Sequence, residues 1–357
     1  MPKLYNITDW NEQPWLNTGG TRNKKIYLNP TDNELYYFKQ SLKKEKKDYK
    51  YEFWSEIIAY KIGLMCGFNV LPYHIAIRGN EVGCISKSMI NPDKEELVEG
   101  GRYIQAFDNT FNPEDRALRF QYSFELITAS LALIGLQKYY RDFIEMLVFD
   151  ALIGNSDRHQ ENWAFVNAHS GISKSLAGIE FILTHEKHLK ELPSWLKGLL
   201  KKLYTRNGKL RAEFRRTRLS LPKDVHFSPI YDNGCSFGRE LLETKVAEML
   251  KDPKQVDKYV SKGESEIHWY GKKVSHFVLL DNLLKEEDFK TMVQNPIKKV
   301  LERFDQKKVV ELIWKVDVDL PSECQYIKIP SERKELICNL VLSRFNLLKA
   351  LVEQKVK

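Results

Sequence analysis

The order of strand-like and helix-like segments constrains the fold of this chain more than any other feature. Up to about residue 90 the sequence predicts short strands rich in β-branched and aromatic residues, at 24–28, 34–40, 70–77 and 82–88. One helix separates them at about 51–65, where apolar residues recur at helical spacing. From about residue 113 the sequence predicts mainly helices, in amphipathic segments at 113–135, 139–152, 186–205, 238–261 and 332–355.

Chain length and composition favour two lobes. A chain of 357 residues exceeds one ordinary hydrophobic core, and 43% hydrophobic with 12% aromatic residues is ample for a packed interior. We therefore predict an α+β fold with a small β-rich lobe at residues 1–91 and a large, mainly α-helical lobe at residues 92–357. The boundary falls near Ser88–Asn91, where a nucleotide base would lie between the lobes, so Ser88 and Met89 are candidate nucleotide contacts.

The sequence contains no pattern typical of export or membrane insertion. The first thirty residues have no apolar segment behind a basic start, and the longest apolar stretch, at 126–136, is too short to cross a bilayer. The five cysteines are scattered and odd in number, which fits reduced thiols better than a disulfide framework. We expect a cytoplasmic protein without a membrane span, and delivery to another cell stays open.

The run from Asp150 to Asn162 carries the most specific chemical signal. Asp157 and Asn162 stand five residues apart, as in the catalytic loops of kinases. In those loops the aspartate accepts the proton of the attacking hydroxyl, and the asparagine oxygen binds magnesium. His159 is a further catalytic-loop candidate, as a hydrogen-bonding strut or a proton carrier, and Arg158 would neutralise phosphate or form a salt bridge inside the lobe.

A second metal-binding carboxylate should follow the catalytic loop. Asp232, in the run Tyr231-Asp-Asn-Gly, is the candidate, and with Asn162 it would offer magnesium hard oxygen donors. The alternative is a capped turn, which explains Asp157 alone but not the later Asp232. The neighbouring Cys235 is interpreted as a small packing residue.

The nucleotide half of such a site requires backbone amides over the phosphates and a lysine that reaches them. Gly19, Gly20 and Thr21 form a flexible turn whose amides can approach anionic oxygens, although no GxGxxG or GxxxxGK[ST] motif occurs. Lys39 lies late in a predicted strand and is the candidate phosphate contact. The following helix offers Glu56, or failing that Glu52, to hold this lysine.

A basic insertion, at about residues 168–228, separates the two candidate metal ligands. Between Lys197 and Lys223 ten lysines and arginines face one acid, Glu213. The segment is either a solvated face or a docking surface for acidic protein, nucleic acid or anionic lipid. Few aromatic residues interleave with it, so a nucleic-acid partner is not expected.

These motifs together resemble the HipA-like serine/threonine kinases, and most of all their bacterial cell-translocating-kinase (CtkA-like) branch. The segments that carry the resemblance are Phe149–Trp163, Tyr36–Lys39, Glu56–Gly63 with Gly67–Pro72, Ile230–Gly234 and Ile329–Arg344. The resemblance implies transfer of the γ-phosphate of ATP, with magnesium, to serine or threonine of a protein substrate, and autophosphorylation. It also implies that Lys39 contacts the ATP phosphates, Asp157 is the base, and Asn162 and Asp232 are the metal ligands.

Two departures from HipA limit what the resemblance implies. HipA has a short connection between its two metal ligands, whereas roughly seventy residues separate Asn162 from Asp232 here. The N-terminal subdomain through which HipA meets its DNA-binding antitoxin has no counterpart, so an antitoxin partner is doubtful. Two alternatives remain open: a phosphoinositide or other lipid kinase, in which the Asp-Arg-His-x-x-Asn string also occurs, and a nucleotide-binding pseudokinase scaffold.

Overall fold

A six-stranded sheet forms the first part of the molecule. The computed structural model describes residues 2–14, 24–44, 47–112, 115–168, 205–206, 209–210 and 224–353. The sheet strands are β1 (Leu4–Asn6), β2 (Asn11–Glu12), β3 (Lys24–Leu28), β4 (Leu35–Gln40), β7 (His74–Arg78) and β8 (Glu81–Lys87). Their spatial order is β1-β7-β8-β4-β3-β2, and every pair is antiparallel except β1 with β7. Two further short strands, β5 (Lys43–Lys44) and β6 (Lys47–Asp48), pair with each other.

The two faces of this sheet bury different residues because side chains alternate along a strand. Tyr36 and Phe38 of β4 belong to a small apolar cluster with Ile7 and Tyr27. Lys39 points to the opposite face, toward helix α1 (Glu52–Cys66). The strands and helix predicted for this part of the chain are thus confirmed, with boundaries that shift by a few residues.

The larger part of the molecule is mainly helical and surrounds a single extended core that includes α1. Its α-helices are α2 (Gly100–Phe107), α3 (Phe124–Leu133), α4 (Tyr140–Ile153), α5 (Glu243–Lys251), α6 (Pro253–Ser261), α7 (His276–Lys285), α8 (Glu287–Arg303), α9 (Gln306–Lys315) and α10 (Ser331–Glu353). Short 3₁₀ helices occur at Arg116–Gln121, Gln137–Tyr139 and Ser322–Ile327. The expected α+β architecture, with a β-rich part before a larger helical part, is confirmed.

Two of the predicted helices are interrupted. The segment at 113–135 divides into a 3₁₀ helix and α3, because the Ser123 hydroxyl accepts a hydrogen bond from Leu126 N and starts a new helix. The segment at 238–261 divides into α5 and α6 at Asp252-Pro253, where Asp252 caps α6 and the proline occupies its first turn.

The prediction of a mainly helical second lobe missed a three-stranded antiparallel sheet. It consists of β9 (Glu95–Glu99), β10 (Ala164–Ala168) and β13 (Val225–Phe227), with β10 in the centre. Phe165 of β10 packs edge-on against Phe227 of β13. The insertion therefore starts and ends at neighbouring strands, and Ala168 N donates to Asp224 O at 2.9 Å.

Most of the insertion lies outside the described residues. The described exceptions are β11 (Thr205–Arg206) and β12 (Lys209–Leu210), which pair antiparallel. Of the helix predicted at 186–205, only its last residue is described, and that residue belongs to β11. No helix in the described ranges is long and apolar enough to span a membrane.

Candidate active site

Lys39 lies at the centre of the candidate site. Its Nζ is 2.6 Å from Glu56 Oε1 and 2.5 Å from Asp232 Oδ1, so it bridges α1 and the Asp232 segment. All three side chains are nine-tenths or more buried. Burial weakens the competition from water, so this ion-paired cluster holds its geometry more firmly than a surface pair would.

A second lysine joins this cluster. Lys24 Nζ lies 3.3 Å from Asp232 Oδ2. Lys24 is the direct cross-strand partner of Lys39 in the β3–β4 pairing, and directly opposed residues present their side chains on one face of a sheet. Lys24 was not among the residues predicted from the sequence, although the β3–β4 register places it beside Lys39.

Contacts with side chains of α1 hold the backbone around Asp232 in place. Asp232 adopts a φ of 55°, a left-handed conformation that aspartate tolerates better than most residues. The next amide, Asn233 N, donates to Glu56 Oε2 at 2.7 Å. A Cβ added at Gly234 would lie 3.1 Å from carboxylate oxygens of both Glu52 and Glu56, so a glycine relieves crowding there.

Glu56 rather than Glu52 therefore pairs with Lys39. Glu52, one helical turn earlier, accepts a hydrogen bond from Arg239 Nη1 at 2.6 Å. Arg239 also donates from Nη2 to Cys235 Sγ at 2.8 Å, and its guanidinium lies over the Tyr49 ring. The alternative left open between the two glutamates is thereby decided by contacts with the segment that follows Asp232.

Arg158 organises the candidate catalytic loop, residues 157–162, from inside the fold. It is 1% exposed. Its Nε and Nη2 donate to the two carboxylate oxygens of Asp150 at 2.9 and 2.7 Å. Nη1 donates to the carbonyl oxygens of Asn162 and Tyr231, and Nη2 also donates to Asn233 Oδ1. Burial alone would lower the pKa of Arg158, but the charge and hydrogen bonds of Asp150 raise it. Of its two possible roles, the structure gives Arg158 the internal salt bridge.

Asp157 is placed at the surface of this framework. Its backbone N donates to Asn155 Oδ1 at 3.3 Å, and its carbonyl accepts from Asn162 Nδ2 at 2.6 Å. The carboxylate Oδ2 accepts a hydrogen bond from Cys235 Sγ at 3.2 Å. Cys235 is therefore more than a packing residue, because its thiol links the catalytic loop to Arg239.

His159 behaves as a strut of the loop. Its Nδ1 accepts a hydrogen bond from Glu161 N at 3.3 Å, which holds the turn between Asp157 and Asn162. This contact agrees with the interpretation of His159 as a residue that holds the loop by hydrogen bonding.

Ser88 and Met89 lie in the connection between β8 and β9. Ser88 N donates to Leu35 O at 2.7 Å, and its hydroxyl donates to Ile90 O at 2.8 Å. Met89 is half-buried and packs against the main core. Both residues thus lie on the connection near Ser88–Asn91 at which we placed the boundary between the lobes. The other candidate nucleotide contacts, Gly19, Gly20 and Thr21, lie outside the described residues.

Asn162 and Asp232 fit magnesium by the chemistry of their donors. The Asn162 amide nitrogen is used by the Asp157 carbonyl, which leaves the amide oxygen as the atom that suits a hard cation. The Asp232 carboxylate already attracts two ammonium groups, from Lys39 and Lys24. Among the described residues no group of three or more His, Cys, Asp or Glu side chains is placed to hold a metal ion, but magnesium beside a nucleotide commonly uses one or two carboxylates plus phosphate oxygens.

Comparison with known proteins gives a match in structure and none in sequence. No protein-family model and no curated protein sequence matches the chain. The proinflammatory kinase CtkA of Helicobacter pylori superposes with a TM-score of 0.69 at 16% identity, over 99% of this chain and 100% of CtkA. HipA of Shewanella oneidensis MR-1, solved with HipB and operator DNA, gives a TM-score of 0.45 at 10% identity, over 90% of this chain and 58% of its own. The expected resemblance is confirmed at the level of architecture, and this chain shares the fold of the kinase CtkA.

Proposed function

We propose that this protein is an ATP- and magnesium-dependent serine/threonine protein kinase of HipA-like type. The observation that carries the proposal is the buried Lys39–Glu56–Asp232 cluster beside a loop that presents Asp157 and Asn162. The shared fold with the kinase CtkA supports it.

In the proposed reaction the chain's own residues position and activate the two substrates. Lys39, held by Glu56, donates to ATP phosphate oxygens. The carboxylate of Asp157 accepts the proton of a protein hydroxyl as that oxygen attacks the γ-phosphorus, and ADP leaves. Magnesium held by Asn162 and Asp232 supplies charge neutralisation on the phosphate oxygens. We extend the proposal to autophosphorylation of the chain itself.

The pairing of Asp232 with Lys39 affects how magnesium and nucleotide should bind. Both lysines contact the Asp232 carboxylate, Lys39 at Oδ1 and Lys24 at Oδ2. Binding of ATP and magnesium would give the lysines phosphate partners and give Asp232 a cation, so charge stays balanced in both states. Magnesium alone should therefore bind weakly, and magnesium with nucleotide should bind cooperatively.

A direct test is transfer of label from γ-labelled ATP by the purified full chain. Reactions contain magnesium or excess chelator, and the acceptors are the protein itself, a generic basic protein and phosphoinositide vesicles. We expect chelator-sensitive label on serine or threonine, identified by phosphoamino-acid analysis.

The same experiment discriminates the two alternatives. Label on the vesicles but on neither protein would identify a lipid kinase instead. Nucleotide-dependent thermal stabilisation without label on any acceptor would support a pseudokinase scaffold and overturn the proposal.

A further inference from the structure

A second candidate site adjoins the catalytic loop but shares none of its proposed catalytic residues. It is a cavity of about 700 Å³, a volume typical of small-ligand sites. Gly154 and Ser156, just before Asp157, line one side of it. The other walls come from α5, α6, α7 and α10.

Arg344 of α10 is a buried cation in the cavity wall. It is 3% exposed, and its Nη1 donates to Ala151 O at 3.1 Å. The guanidinium packs so closely that a Cβ added at Gly154 or Gly263 would lie 2.6 Å from it. Within the described part of the chain no carboxylate forms a salt bridge with Arg344, although buried charges are normally paired. Burial lowers the pKa of Arg344 to about 10, even though Tyr259 and Glu240 act in the opposite direction.

His276 lines the same cavity and has an unsatisfied ring nitrogen. The residue is 4% exposed, and its Nε2 has no hydrogen-bond partner among the described residues. A buried polar atom without a partner costs free energy, so such atoms are normally satisfied by protein, water or ligand. Arg344 and His276 therefore both have polar atoms suited to an occupant of the cavity.

The rim of the cavity is positively charged. Four lysines line it, at Lys245, Lys258, Lys262 and Lys273, together with two glutamates. Glu264 is already paired with Lys273 at 2.8 Å, and Glu240 accepts from the Tyr259 hydroxyl. In the described structure neither Lys258 nor Lys262 forms a salt bridge, so these two ammonium groups add unbalanced positive charge at the entrance.

We propose that this cavity binds a phosphate monoester group. Arginine's planar donor fork and several ammonium groups suit the three oxygens and double charge of such a group better than they suit a single carboxylate. The group would come from a small phosphorylated molecule or from a phosphorylated side chain of a protein. Because Gly154 and Ser156 precede Asp157, an occupant would rest against the start of the catalytic loop.

Calorimetric titration of the full chain tests the proposal at fixed ionic strength. The ligands are inorganic phosphate, a phosphoserine peptide and the same peptide without phosphate. The test variant is Lys258→Glu/Lys262→Glu, since both side chains are exposed and their replacement leaves the core intact. The matched control is Lys251→Glu/Lys254→Glu, which makes the same charge change at exposed positions of α5 and α6 that do not line the cavity. We expect the test variant to bind phosphate or phosphopeptide about tenfold more weakly, and the control to bind almost normally.

The outcomes separate the sources and can overturn the proposal. Binding of both phosphate and phosphopeptide indicates a small-molecule-sized site, and binding of the phosphopeptide alone indicates a protein source. Arg344→Lys serves as a second variant that keeps the charge but removes the fork, and it should weaken binding as well. Absence of binding to either phosphorylated ligand, or equal weakening in the two double variants, would refute the site.

Discussion

Two buried cations, Arg158 and Lys39, lie near the candidate catalytic loop and differ in the groups that they contact. Arg158 satisfies one carboxylate, two backbone carbonyls and an amide oxygen, so its hydrogen-bonding capacity is spent within the fold. Lys39 forms ion pairs with two carboxylates, which a bound nucleotide can replace as partners. At the scale of single residues, the contacts of the donor groups therefore distinguish a structural cation from the one that we propose binds nucleotide.

Arg158→Leu should destabilise the protein. The change leaves the Asp150 carboxylate buried without its partner, a situation that typically costs about 3–5 kcal/mol. Denaturant unfolding monitored by tryptophan fluorescence measures the loss. Arg141→Leu, at an exposed position on α4, the helix that carries Asp150, is the control and should change stability little. Equal stability of the two variants would contradict the structural role of Arg158.

Lys39→Met should abolish most phosphate transfer. Loss of a positioned donor to phosphate oxygens typically lowers turnover by about 10²–10³-fold. Steady-state kinetics with labelled ATP gives kcat and KM for the variant. Lys25→Met is the control, because Lys25 neighbours the site in sequence but pairs with Glu81. Similar turnover in both variants would argue against Lys39 as a phosphate contact.

At the residue level, the sequence indicated Glu56 as the partner of Lys39, with Glu52 as the second choice, and the structure pairs Lys39 with Glu56. The spacing of Asp157 and Asn162 placed both in one loop, and their roles in the reaction stay predictions. Glu52 and Glu56 are four residues apart and lie on the same helix face, so helical periodicity does not discriminate them. The choice depends on Arg239 and Asn233, which come from a segment far along the chain.

At the scale of elements, helix α7 begins with a buried histidine. Burial lowers the pKa of His276 to about 3, with further lowering by the charges of Arg344 and Arg158. In the unfolded chain a histidine has a pKa near 6.5. Between those values the unfolded state holds more protons, so the free energy of unfolding falls as pH falls from about 6.5 toward 3.

His276→Gln should flatten this acid dependence. The slope contributed by one such group is at most ~1.4 kcal/mol per pH unit. Urea unfolding at several pH values between 5 and 7 measures it. His74, with a pKa lowered to about 4 mainly by burial, leaves a residual slope in the variant. His226→Gln, at an exposed position, should keep the full slope, and a flattening equal to that of His276→Gln would contradict the prediction.

Element boundaries show what the sequence could and could not reveal. The break between α5 and α6 was not predicted within the segment at 238–261, although it has a local signal: Asp252-Pro253 is a typical cap followed by proline at the first turn. The β9–β10–β13 sheet was not predicted either, because β10 and β13 are separated by the whole insertion and pairing over such distances leaves no local pattern. The α1 helix was readable from its own periodicity.

At the scale of the whole molecule, the insertion leaves and rejoins the described structure at two paired strands, β10 and β13. β10 and β13 pair with Asn167 opposite Val225, and the bond between Ala168 and Asp224 closes the ladder. We therefore expect the features that determine substrate choice to lie in residues 169–223. We expect the residues that transfer phosphate to lie in the part of the structure that β10 and β13 help to position.

Replacing residues 169–223 with an Asn-Gly turn should preserve the fold and the transfer of phosphate to a generic acceptor. A two-residue turn suits an antiparallel pair, and the shorter connection lowers the entropy cost of closing the loop. The melting temperature and the kinetics with a generic basic protein measure this. Unfolding of the shortened protein, or loss of transfer to every acceptor, would contradict the prediction that the fold and phosphate transfer do not require residues 169–223.

The most direct test of phosphoryl transfer compares the wild-type chain with Asp157→Asn and with Asp288→Asn, an exposed position on α8. Single-turnover transfer from γ-labelled ATP with magnesium is measured alongside nucleotide affinity. We predict transfer by the wild type and by Asp288→Asn, and a loss of about 10²–10⁴-fold in Asp157→Asn with nucleotide affinity largely retained. Equal transfer by Asp157→Asn and the wild type, or no transfer by a wild-type chain that binds ATP, would contradict the proposed kinase mechanism.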